Sequence, residues 1–172
     1  MIGNRKLGSL GSIKSIQSGI CSFTSSDNSK NVTISNVDLT KAIVIISNAG
    51  LAGSLQGDKF RSELTSSTNL LITHAYNASN AYNVTWQVIE FNNVKSLQYG
   101  TTTVNTTPQT VTITSVNTSK TIILKNFTTI ATTQVGHANI QMTLTNSTTI
   151  TFNSYDAVSY NYIVSWFVIE FN

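Results

Sequence analysis

Residues 86–92 read WQVIEFN, and residues 166–172 read WFVIEFN. In each copy Val88, Ile89 and Phe91, or Val168, Ile169 and Phe171, are apolar on both parities, whereas a half-exposed strand alternates apolar with polar. A strand that is apolar on two faces needs cover on two faces. One face packs into its own core. The other has to meet the second copy, an N-terminal arm or another subunit, which makes Ile89, Phe91, Ile169 and Phe171 the candidate interface residues.

Working outward, the recurrence covers nearly the whole chain. IKSIQSG (13–19) answers VKSLQYG (94–100), and NVTISNVDLTKAIVI (31–45) answers TVTITSVNTSKTIIL (110–124). ELTSSTNLLIT (63–73) answers TLTNSTTITFN (143–153), and YNVTWQVIEFN (82–92) answers YIVSWFVIEFN (162–172). A chain of 172 residues therefore divides into an arm over 1–12 and two repeats over 13–92 and 93–172, with Asn93 as the junction. Each block is short, rich in β-branched residues and bounded by Gly, Asn, Asp or Ser. The pattern predicts strands near 13–24, 31–37, 41–48, 59–66, 69–76 and 81–91. They return near 94–105, 109–116, 120–127, 137–145, 148–155 and 161–171. The expected fold is all-β: two tandem six-stranded antiparallel β-sandwich repeats. Pro108 falls between the first two strands of the second repeat, where a missing donor costs little.

Only 10% of the residues are charged while 40% are hydrophobic, so the chain has the composition of a folded protein rather than a disordered one. Its polarity comes from Ser, Thr and Asn, 67 residues together. The net charge of +3 is concentrated at the start, where Arg5 and Lys6 contribute two units; the first repeat is balanced and the second carries one excess positive charge. No basic stripe tracks a phosphate backbone, which argues against nucleic acid as a partner. Cys21 is the single cysteine, so no disulfide framework forms within the chain. The longest aliphatic run, 42–46, is far too short to insert into a bilayer, and the N-terminus has no signal-like apolar segment. Assembly in a cytoplasm is the expectation. The arm, with three glycines in twelve residues, has no conformation of its own and is expected to dock, through Arg5 and Lys6 among others, onto a neighbouring component.

Glu90 and Glu170 recur at one position, on the parity of Trp86 and Trp166, and Lys14 and Lys95 recur at the start of each repeat. A charge on a buried face needs a partner, so the expected structural ion pairs are Glu90 with Lys14 and Glu170 with Lys95. His74 and His137 do not correspond between repeats and have no metal-ligand spacing around them; no metal and no cofactor is expected. Nucleophile-elbow, zinc-protease, P-loop and dinucleotide motifs are all missing, and the expectation is a non-enzymatic protein. The polar loops supply rings, amides and a carboxylate of the kind that stack on and hydrogen-bond to sugars: Tyr76, Asn77 and Asn80, with Tyr155, Asp156 and Tyr160. They are candidate glycan-binding residues.

The order QxG, a pair of alternating strands, a hairpin RxxLTxxTxLxI and a closing YxVxWxVIEF resembles the H-type lectin pattern. It is carried by Gln17, Gly19, Arg61, Tyr82, Val84 and Trp86, then by Gln98, Gly100, Tyr162, Val164, Ser165 and Trp166. The resemblance implies a six-stranded sandwich, a trimer of two-repeat chains with pseudo-sixfold layers, and sugar binding at subunit boundaries. Gln141 stands in the second repeat where Arg61 stands in the first, and the loops do not match the family's sugar-contacting residues, so the sugar site itself is not implied. The KSxQxG opening and WxVIEFN ending also resemble small repeat modules on the outside of tailed bacteriophages, in tail tips, fibres and head decorations. That likeness implies a virion location, with other virion proteins as partners of the arm; the alternative is a lectin that recognises a host surface glycan.

Overall fold

The computed structural model describes residues 13–48, 59–74, 81–129, 139–154 and 161–172. Among them the chain is all-β, with a single short 3-10 turn at Thr118–Lys120. The strands are β1 (Ile13–Phe23), β2 (Ser29–Thr33), β3 (Ala42–Asn48), β4 (Phe60–Ser66), β5 (Asn69–His74) and β6 (Tyr82–Phe91). The second half follows with β7 (Ser96–Val104), β8 (Gln109–Thr112), β9 (Thr121–Thr129), β10 (Gln141–Asn146), β11 (Thr149–Asn153) and β12 (Tyr162–Glu170). They form four three-stranded antiparallel sheets: β1-β6-β3 and β2-β5-β4 in the first half, β7-β12-β9 and β8-β11-β10 in the second.

The pleat decides what each sheet buries. In β6, Tyr82, Val84, Trp86 and Val88 are buried while Asn83, Thr85 and Gln87 are exposed, the period of two that a one-sided strand requires. From the facing sheet, β5 buries Leu70 and Ile72, and these side chains join those of β6 in one cluster with Phe23, Val44 and Phe60. Tyr162, Val164, Trp166 and Val168 repeat this arrangement with Ile150 and Phe152. Both hairpins turn alike. β4–β5 and β10–β11 each slip register just before a two-residue turn, at Leu64/Ser66 and at Leu144/Asn146. Ser66 Oγ and Asn146 Oδ1 accept from the N–H of Thr68 and Thr148 at 3.3 and 2.9 Å.

The strands expected at 31–37 and 109–116 stop early, at Thr33 and Thr112. β-branched residues continue through both segments, but their backbone groups find other partners. Ile34 and Val37 donate to the turn carbonyls of Thr68 and Ser67 at 3.0 and 2.9 Å, and Ile113 and Val116 donate to Thr148 and Ser147 at 2.9 Å each. Gln17 holds the first segment from the other side: its Nε2 donates to Ser35 O at 2.9 Å and its Oε1 accepts from Ser35 N at 2.6 Å. Gln98 and Thr114 repeat both distances. With backbone demand met by a turn and a side-chain amide, the chain leaves one sheet and crosses to the other.

β12 answers the question posed by its sequence. Tyr162, Val164, Trp166 and Val168 fill the core of the second half, while Phe167 and Ile169, followed by Phe171, join the buried cluster of the first. Its second face is covered by the other half of the same chain. Phe91 and Phe171, one from each half, meet edge to face with ring centroids 5.8 Å apart. Ile89 is half-buried.

Candidate functional site

The glutamates at the ends of β6 and β12 point inward and are 1% exposed. Lys14 Nζ donates to Glu90 Oε1 at 2.9 Å, Ser15 Oγ to Oε2 at 3.2 Å and the Asp38 N–H to Oε1 at 2.9 Å. Around Glu170 the donors are Lys95 Nζ at 2.8 Å, Ser96 Oγ at 3.3 Å and Asn117 N at 2.9 Å. Burial pushes the Glu90 carboxyl up, but the Lys14 ammonium, the Asp38 N–H and the Ser15 hydroxyl outweigh it and hold it below the usual carboxylate range. For Glu170, the Lys95 ammonium and the Asn117 N–H do the same against burial. Each carboxylate thus ties the first strand of its half to the last strand and to the turn before β3 or β9. Every oxygen has a donor, and the group is built to stay ionised as an anchor.

The QxG pattern is also structural. A Cβ on Gly19 would stand 2.7 Å from Trp86 Cζ2, and one on Gly100 would stand 2.7 Å from Trp166 Cζ2. The glycines let β1 and β7 run against the indole faces. Gln17 and Gln98 were visible in the sequence only as recurring letters; their repetition at fixed spacing was the available signal. The two indoles differ in one respect. Trp166 Nε1 donates to Thr102 Oγ1 at 3.0 Å, whereas Cys21 occupies the corresponding position in the first half and the buried Trp86 Nε1 has no partner among the described residues. Cys21 is itself buried, and that burial pushes its thiol pKa up, against the opposing pull of Lys30, so it is held as a neutral packed thiol.

Two grooves lie where the halves meet. In one, β4 lies against the outer face of β7-β12-β9. Arg61 Nη1 donates to Ser165 Oγ at 3.4 Å, Ser62 N to Asn126 Oδ1 at 2.7 Å, Asn126 Nδ2 to Ser62 Oγ at 3.1 Å and Thr101 Oγ1 to Glu63 Oε2 at 3.1 Å. Arg61 also pairs with Glu63 at 2.9 Å. Beside this joint is a groove of about 370 Å³ lined by Glu63, Tyr99, Thr101 and Trp166 among others. The other groove, of about 390 Å³, brings Lys59 and Lys125 over the Phe127 ring at 5.6 and 5.1 Å from its centroid. Burial, with the charge of Lys59 second, depresses the pKa of Lys125.

Of the residues singled out in the sequence, the structure brings together Lys14 with Glu90, Lys95 with Glu170, and Phe91 with Phe171. Ile169 lies against the first half rather than at the chain's outer surface. Arg5, Lys6, Tyr76, Asn77, Asn80, Tyr155, Asp156 and Tyr160 lie outside the described residues, as does His137. His74 is buried between Phe60 and Tyr82, with ring centroids 4.6 and 5.9 Å away. Among the described residues no group of three or more His, Cys, Asp or Glu is placed to hold a metal, and no helix is long and apolar enough to cross a membrane. No protein-family model, curated protein or solved structure matches the chain.

Proposed function

We propose that this chain is a non-enzymatic structural component of a bacteriophage or phage-like particle, built as two tandem six-stranded sandwiches and working as a homo-oligomer of three copies. Residues 1–12 dock it onto another virion protein, and its polar loops face outward. The observation that carries this reading is the unequal fate of two corresponding faces. On the outer face of β7-β12-β9 the first half buries Phe167 and Ile169 and leaves Tyr99 and Ile122 at the margins 46% and 45% exposed, whereas the outer face of β1-β6-β3 presents Ile16, Ile20 and Ile45 at 55%, 68% and 42% exposure. Apolar side chains aligned on one sheet face are the mark of an assembling surface. The ionic groups support it as well: Glu90 and Glu170 are spent on holding strands together, which is the work of a scaffold. The reading is tested by native mass measurement of the purified chain and by probing purified particles for it, before and after deletion of residues 1–12. Trimers that load onto particles only with the arm present are expected; a soluble monomer that never co-purifies with particles overturns the reading.

A glycan-binding role is the second reading. It is favoured by the groove between the halves, where the half-exposed Tyr99 ring stands beside Glu63 and Thr101, an aromatic platform with hydroxyl and carboxylate groups at its edge. Retention of a defined host-surface oligosaccharide, lost in Tyr99→Ala, is its expected signature. Equal retention by wild type and variant removes it.

A further inference from the structure

We infer that copies of this chain join head to tail, with strand β10 of one copy seated on the outer face of sheet β1-β6-β3 of the next. The inference deepens the homo-oligomer reading above and rests on it. It starts from the joint already present inside the chain. There an edge strand, β4, lies on the outer face of a three-stranded sheet, β7-β12-β9, through Arg61 to Ser165, Ser62 to Asn126 and Glu63 to Thr101. Because the sequence repeats, each half owns both parts of such a joint, one edge strand and one sheet face. The internal joint uses the edge of the first half and the face of the second. Among the described residues one edge, β10, and one face, β1-β6-β3, are left over.

The two unused surfaces suit each other. By strand register, the free face carries Ile16, Ser18, Ile20, Ile45, Thr85 and Gln87, with no charged residue at any of its positions. The free edge, Gln141–Asn146, is likewise uncharged, and its Met142 is only half-buried, whereas the corresponding Ser62 of β4 is wholly buried. In the internal joint Glu63 meets Thr101; in the joint between copies Thr143 meets Ile20. The ion-pairing edge is matched to a hydroxyl-bearing face, and the neutral edge to an aliphatic one. An uncovered edge strand and an exposed isoleucine patch each favour association. The contact is heterologous, since edge and face are different surfaces. Repeating it closes a ring or extends a filament, according to the rotation between the halves.

The test uses the full-length chain and two variants, Ile20→Asp on the face and Thr143→Asp on the edge, both at exposed positions. Mass is followed by light scattering coupled to size exclusion across a dilution series, with circular dichroism as the check on folding. The expected result is an oligomeric wild type, a monomer from each variant alone, and a one-to-one dimer when the two are mixed, because each retains the half-joint the other lacks. An oligomer that survives both substitutions overturns the inference while leaving the homo-oligomer reading intact. So does an oligomer broken by Ile20→Asp alone that mixing does not restore, which is the behaviour of a face-to-face dimer. A monomeric wild type removes both. If Ile20→Asp does not fold, Ile16→Asp on the same face takes its place in the mixing experiment.

Discussion

The outer faces of β1-β6-β3 and β7-β12-β9 start from one scaffold and end in different states. Gln87 and Phe167 hold the same place in their strands, as do Asn83 and Ile163, Ser18 and Tyr99, and Ile45 and Leu124. Phe167 is buried against the other half, while Gln87 is exposed. The inner faces of the two closing strands do not differ: Tyr, Val, Trp, Val and Glu stand in the same order on β6 and β12. The interior of such a unit is set by its own two sheets, but its exterior is set by what lies next to it. Residues that recur between halves therefore report the fold, and residues that differ report the neighbour.

The largest expected effect breaks this contrast directly. Phe167→Ser removes a buried ring from between the halves and is expected to cost about 3–5 kcal/mol in urea unfolding. Gln87→Ser, at the corresponding exposed position, should stay within about 0.5 kcal/mol. Equal costs would mean that the two faces are not differently covered. Next, Gly19→Ala and Gly100→Ala each force a methyl onto an indole and should each cost about 1–3 kcal/mol, with similar values in the two halves. A smaller effect sharpens an internal difference. Cys21→Thr supplies the hydroxyl that Trp166 has and Trp86 lacks, and should raise stability by about 0.5–1.5 kcal/mol by thermal or urea melts. No gain would show that the Trp86 indole N–H is already satisfied.

The last effect is a slope with pH, flat at neutral pH and steep in acid. The folded pKa values of Glu90 and Glu170 lie below their ordinary value, so on acidification the unfolded chain takes up protons first. The stability they contribute is fully present above the ordinary carboxylate range and is lost as pH falls through the folded pKa values. Glu90→Gln with Glu170→Gln should flatten the acid limb of the stability profile, and Lys14→Met with Lys95→Met should flatten it in part. An unchanged acid limb would assign acid unfolding to other carboxylates such as Asp27, whose pKa is lowered to about 2 by the Thr24 backbone N–H first and its hydroxyl second.

Much of this was legible in the sequence because it depends on local pattern. β-branched runs placed the strands to within a few residues, and the recurrence of Lys14 and Glu90 as Lys95 and Glu170 marked groups that needed each other. What was not legible depends on partners remote in the chain. Ile34 and Val37 look like a strand continuing, and only the carbonyls of Ser67 and Thr68 divert them. Ile169 and Phe171 announce that a second face is buried, but alternation carries no information on what covers it. Gly19 reads only as part of a recurring QxG within a strand until Trp86 is found against it.

Each half also comes back to where it started. Ile13 pairs with Phe91, Ser96 pairs with Glu170, and Asn172 Nδ2 donates to Asn93 Oδ1 at 2.6 Å. A unit whose entrance and exit share a corner can be duplicated in frame, or cut out, without rerouting any strand, so that lengthening such a protein requires a new junction and no new topology.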